Sequence, residues 1–234
     1  MTGTGGVRGT PHELALLAGG PLAAVTVAVV ALHLRGAVEA GAPGTVRAVD
    51  GEAGRALPPL PPPGVPLEDV QGRTEAVTGE MRASYLESAV HHCLAEPSEP
   101  RELVRHPDVR WAVAELRVGL AEAGMLRYPL LLGPTRAARR RLKVLRKAYP
   151  LPTSRHGRPD HEKLLAIALH GKDALTVLVP RFALRAGLTE RIDLREKGLR
   201  HSPGGGTYGG GGGHTYCGGG GGCGGGGGCG GGSN

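Results

Sequence analysis

Three stretches of the sequence carry side chains whose types and spacing suit chemistry. The first is His214-Thr-Tyr-Cys217, followed by Cys223 and Cys229, with five glycines in each gap between cysteines. One imidazole and three thiols match a zinc set in number, but structural zinc sites bring their ligands in by short gaps rather than long glycine runs. Six flexible residues span on the order of 13 Å r.m.s.. His214, Cys217, Cys223 and Cys229 can therefore converge on a soft metal, or crosslink, without being held in place. No other cofactor is implied.

The second stretch is cationic. Arg136, Arg139, Arg140, Arg141, Lys143, Arg146 and Lys147 place seven positive charges in twelve residues with no acid among them. Ala138, Leu142, Leu145 and Tyr149 follow at spacings of four, three and four, which is one apolar stripe beneath a charged face. Such a helix can lie on anionic lipid, each basic residue adding about 1 kcal/mol near the surface. It can also touch phosphates without sequence preference, or simply dock on a core with its charges solvated.

The third group is histidine-rich. His91-His92-Cys93 has metal-binding side chains, but adjacent helical residues point in different directions and no further ligand lies close in sequence, so a structural role is expected. His156-Gly-Arg-Pro-Asp160-His161 has the makings of acid–base chemistry without a recognisable spacing. A nucleophile elbow, a phosphate loop and a metalloprotease motif are all missing from the sequence, so no catalytic residue is assigned and an enzyme has no positive support.

The elements that would carry these groups are organised around Pro11–Val49. Pro21–Leu34 holds no charge, and its only polar side chains are Thr26 and His33, seven residues apart and so near one stripe of a helix. A helix apolar almost all round must be covered on every side. Leu14–Leu34 is long enough to span a bilayer, but Gly19-Gly20-Pro21 breaks it, and Pro21–Leu34 reaches only about 21 Å against roughly 30 Å of hydrocarbon. A buried helix is therefore expected. A signal peptide fits poorly, since Glu13 precedes the apolar run and Arg35 and Glu39 follow it.

Residues 1–10 are expected to be loose, and residues 11–50 to form a helix–helix–ribbon unit capped by Thr10, with Thr45–Val49 as a short strand. That outline is winged-helix-like. Residues 51–66 form a Pro-rich linker. Residues 67–200 form a helical region. It holds Leu67–Ala95, a helix from Asp108 towards Gly124, the basic helix 136–149 behind Thr135, His161–His170, and Lys172–Gly187 broken at Pro180. Residues 201–234 are a disordered Gly/Cys-rich tail, holding twenty-one of the chain's 42 glycines in Gly204–Gly232. The expected fold class is mainly α, with a small β-ribbon.

Aromatic residues are few, so the core must be built from Leu, Val and Ala, which suits helices. The formal charge of +7 speaks to partners and solubility rather than fold. Cys93 is alone in the body of the chain, and one cysteine makes no disulfide framework, so a reducing compartment is expected.

Several pieces together resemble a known family. Pro11-His-Glu-Leu-Ala-Leu-Leu-Ala-Gly-Gly-Pro21, the following Ala31-Leu-His-Leu-Arg-Gly36 and Pro43-Gly-Thr-Val46 look like the amino-terminal unit of an uncharacterised actinobacterial membrane-protein family. Ala114–Leu126 resembles its second helical unit, Thr135-Arg-Ala-Ala-Arg139 the start of its basic helix, and Ala166–Leu175 its closing helix. Members often end in glycine runs punctuated by cysteine, as here. The family usually places transmembrane helices between the second unit and the basic helix, where this chain has only Tyr128–Gly133. The resemblance implies no reaction. A weaker likeness is to Golgi-phosphoprotein-like helical proteins, which bind phosphoinositide-bearing membranes.

Together these features point to a noncatalytic scaffold or interaction protein, cytoplasmic and peripheral on a membrane. Its partner is expected to be an anionic membrane surface or a membrane protein, met through Arg136–Lys147. A chain embedded through Leu14–Leu34 is the alternative location. One alternative function is metal or thiol handling by the tail. The other is nucleic-acid binding by the winged-helix-like unit, which is disfavoured because the apolar helix offers only Thr26 and His33 to base edges.

Overall fold

In the computed structural model, which describes residues 9–62, 77–127, 133–154 and 157–189, helices carry the fold and the only sheets are two small antiparallel pairs. The expectations for residues 1–8, for the end of the Pro-rich segment with the start of the 67–95 helix, for residues 128–132, and for the tail with His214, Cys217, Cys223 and Cys229 lie outside the described residues.

Helix α1, Pro11–Leu34, is the element the others cover. Thr10 starts it: its hydroxyl accepts from Glu13 N, while Glu13 Oε2 accepts from Thr10 N at 2.8 Å, a reciprocal capping box. The expected break is present. Gly20 sits at φ 77° and ψ −165°, a conformation open essentially to glycine, and Pro21 restarts the helix without an N–H to satisfy. Beyond the break, Val25, Val29 and Leu32 are wholly buried. Both polar side chains are used locally: Thr26 Oγ1 donates to Leu22 O, and His33 Nδ1 donates to Val38 O while its ring stacks on Phe182 at 3.7 Å.

The chain then makes the ribbon. β1 (Val38–Ala40) pairs antiparallel with β2 (Val46–Ala48), with Glu39 facing Arg47 as an exposed ion pair. Gly44 turns the corner at φ 92°. α2 (Glu52–Arg55) follows, and Leu57 and Leu60 of the Pro-rich segment rest against the core. α3 (Gly79–Cys93) is capped by Thr78, whose extended backbone starts the helix there, so the helix expected over Leu67–Ala95 does not run continuously; α4 (Pro100–Leu103) is a single turn.

α5 (Pro107–Glu122) corrects one expectation. His106, not Asp108, caps it, accepting from Asp108 N. Pro107 takes the first helical position because its fixed φ suits it there, which moves Asp108 inside the first turn. A second ribbon, β3 (Leu126–Arg127) with β4 (Gly133–Pro134), leads to α6 (Arg136–Ala148), capped by Thr135 as expected. α7 (Asp160–His170), α8 (Lys172–Leu178) and α9 (Pro180–Arg185) close the structure, separated by Gly171 and by Pro180. α7 packs most extensively on α1, and α3 and α5 pack on each other and on α1, so one continuous apolar core encloses most of the uncharged stretch beyond the break.

Candidate functional site

The basic helix takes the orientation its spacing predicts. Ala138 and Leu142 are buried and Leu145 is half-buried. At about 100° per residue, the opposite side carries Arg136, Arg140, Lys143 and Lys147, all exposed, with Val144 beside them at 65% exposure. Among the described residues, none of Arg136, Arg139, Arg140, Arg141, Lys143 or Lys147 is in an ion pair. The seven cations are not equivalent. Arg146 Nε donates to Leu169 O at 2.9 Å, and His170 Nε2 donates to Tyr149 O at 2.8 Å, so the end of α6 is tied to the end of α7. Arg141 is half-buried and turns towards Gly9 and a cleft behind it.

That cleft, of about 890 Å³, lies between the start of α1, the first half of α3 and the end of α5. It holds buried charge that no spacing in the sequence announced. Glu87 lies between His12 Nε2, 3.3 Å away, and the Arg35 guanidinium. Burial pushes the Glu87 carboxyl up, but His12 and Arg35 outweigh it and hold the group below the usual carboxylate range. The His12 contact is poorly aligned for a hydrogen bond, and His12 Nδ1 has no partner among the described residues. Arg82, also buried, reaches across Gly119 to Glu122. Glu13 lies over Gly79 at the first turn of α3, where the positive end of the helix favours a carboxylate.

A third cluster forms where the end of α3 meets the start of α5. His92 Nδ1 lies 3.2 Å from Asp108 Oδ2, and His106 Nδ1 lies 3.7 Å from the same oxygen. Cys93, His106 and Asp108 each offer one ligand atom, and these atoms lie within 4.8 Å of one another. Burial first, and then the charge of Asp108, push the Cys93 thiol up to about 12. His91 turns away, over Gly54, where a Cβ would stand 2.7 Å from its Nε2. Burial draws its imidazole down, against the opposing pull of the Val49 carbonyl and Asp50.

No family model, curated protein or solved structure matches the chain. The sequence singled out α6 and His91–Cys93. It missed His12, Arg82 and Glu87, and it did not pair Cys93 with Asp108, because each of these contacts joins helices distant in sequence. Composition gave little signal, because α3 also carries Glu80, His91 and His92.

Proposed function

We propose that this chain is a noncatalytic scaffold that rests on an anionic membrane surface through the outer face of α6. One observation carries this: Arg136, Arg140, Lys143 and Lys147 surround exposed Val144 on a helix already anchored to the core by its other side. An apolar side chain among cations that form no ion pair with the described residues suits the boundary between headgroups and acyl chains. On this reading α1 is a core helix, in keeping with the burial of Val25, Val29 and Leu32, and the chain is peripheral rather than inserted through Leu14–Leu34. Likeness to the actinobacterial membrane-protein family fits the same picture, with α6 as a juxtamembrane helix. The helix–helix–ribbon order of residues 11–50 is winged-helix-like. Its second helix spends Thr26 and His33 on internal contacts, which favours a scaffold over a nucleic-acid reader.

Flotation of the full-length protein with vesicles tests this. Recovery is expected with vesicles rich in phosphatidylserine, falling steeply with added salt, and not with neutral phosphatidylcholine vesicles. Replacing Arg136, Arg140, Lys143 and Lys147 together by Gln should abolish it. Equal recovery on neutral vesicles, or none on either, overturns the proposal.

A further inference from the structure

We propose that the junction of α3 and α5 is a site for a divalent transition metal of the zinc type, held by Cys93, His106 and Asp108 with His92 as fourth ligand. Neither the membrane reading nor the tail cysteines enter into it. The donor set is one sulfur, two imidazole nitrogens and one carboxylate oxygen, which suits zinc better than magnesium or calcium, whose ligands are oxygens.

The spacing of Asp108 to each imidazole is close to that of a bound site, while His92, which stands outside the group that Cys93, His106 and Asp108 form within 4.8 Å, must swing in as the fourth ligand. A tetrahedral zinc with arms of roughly 2.0–2.3 Å sets neighbouring ligand atoms roughly 3.3–3.8 Å apart. The Asp108 oxygen already lies 3.2 Å from His92 Nδ1 and 3.7 Å from His106 Nδ1. Cys93, whose ligand atom lies within 4.8 Å of those of His106 and Asp108, needs only a side-chain adjustment to join them. The hydrogen bond from Asp108 N to His106 Nδ1 is long, at 3.4 Å, so the α5 cap gives up little if that nitrogen turns to a metal.

Charge balance also favours a dication. Binding releases the Cys93 thiol proton to solvent and forms a sulfur–metal bond, so one thiolate and one carboxylate neutralise the 2+ ion. The partial charges of the two helix ends are of opposite sign at this junction, so they largely cancel and leave the balance to these side chains. Adjacent residues His92 and Cys93 diverge on a regular helix. Here they are the last two residues of α3, and Asp108 arrives from another helix within reach of both.

Cobalt(II) titration of the full-length protein is the test. Cys217, Cys223 and Cys229 are first replaced by Ser, so that Cys93 is the remaining thiol. A single equivalent should bind, with a thiolate-to-cobalt charge-transfer band and the intense visible bands of tetrahedral cobalt, and zinc should displace it. Cys93→Ser in that background should remove the charge-transfer band. His106→Ala or Asp108→Asn should weaken binding by more than about tenfold. Circular dichroism of each metal-free variant, matched to its parent, separates ligand loss from misfolding. No stoichiometric binding by the tail variant, or unchanged affinity in folded Asp108→Asn and His106→Ala proteins, overturns the site.

Discussion

Arg82 lies directly over Gly119: a Cβ added to that glycine would stand 2.3 Å from Arg82 Nη1. The bare backbone of α5 gives the guanidinium its passage, and Nη2 goes on to donate to Glu122 Oε2 at 2.9 Å. Arg82 is one of few charged side chains buried in the fold, and Glu122 holds it from the exposed end of the pair. Alanine would ordinarily improve a helix by up to about 1 kcal/mol over glycine. At this position overpacking outweighs that gain, because the displaced group is a charge with a fixed partner. Gly119→Ala is expected to destabilise the protein by about 1–2 kcal/mol, measured by denaturant unfolding. Gly119→Ala combined with Arg82→Met should recover part of the loss. A stabilised single variant would show that the arginine takes another path.

Glu87 links acid sensitivity to the same region. Its carboxyl is held below the usual carboxylate range despite burial, by His12 and Arg35. A carboxyl depressed on folding contributes stability that is fully present above its unfolded value and is lost as pH falls through the folded one. Glu87→Gln should therefore cost about 1–3 kcal/mol near neutrality, reduced from a fully buried pair because Arg35 is partly exposed. The difference between variant and parent should shrink below about pH 4.5. Unfolding midpoints across pH 3–7, read by circular dichroism at roughly even steps, make the comparison; a gap that stays constant down to acid pH contradicts it.

The contrast between these charged groups and the rest of the fold marks what the sequence can express. Thr10-Pro-His-Glu13 encodes a cap within four residues, and Gly19-Gly20-Pro21 encodes a break within three, so both were legible. Thr135 and the spacing of Ala138, Leu142 and Leu145 placed α6 correctly for the same reason. Spacing gave the cationic helix but not the division of labour on it, since only tertiary contact ties Arg146 to Leu169 and turns Arg141 inward. His12 with Glu87, and Cys93 with Asp108, join separate helices and have no local signature. Even the α5 cap was misplaced by two residues, because Pro107 shifted the helix start.

Gly20 tests whether the break in α1 is structural. At φ 77° and ψ −165° it occupies a region that other residues pay roughly 1–3 kcal/mol to enter. No neighbouring atom would touch an added Cβ, so backbone strain is the whole cost. Gly20→Ala should lower stability by about that amount, seen as a lower midpoint in urea with an unchanged slope. An unaffected midpoint would mean that α1 runs straight when glycine does not force the turn. The two halves would then form one helix of 24 residues, long enough for a span.

The last prediction separates anchoring from surface contact on α6. Arg146 is exposed by area, yet its Nε is committed to Leu169 O, so its removal costs a tertiary hydrogen bond to a charged donor, about 1.5–3 kcal/mol when well buried and less at this rim. Lys143 and Lys147 have no such partner among the described residues, and their replacement should leave stability within about 0.5 kcal/mol. Binding to anionic vesicles should follow the opposite order. Lys143→Gln with Lys147→Gln should weaken it at least tenfold, from about 1 kcal/mol per charge, whereas Arg146→Gln should cost one charge at most. Val144→Glu adds an independent check, because it places an acid among the cations and removes the apolar contact while leaving the core face untouched. If Arg146→Gln proved as harmful to vesicle binding as the double lysine variant, with stability unchanged, the side of α6 that meets the membrane would be the one flanked by Arg139 and Arg146.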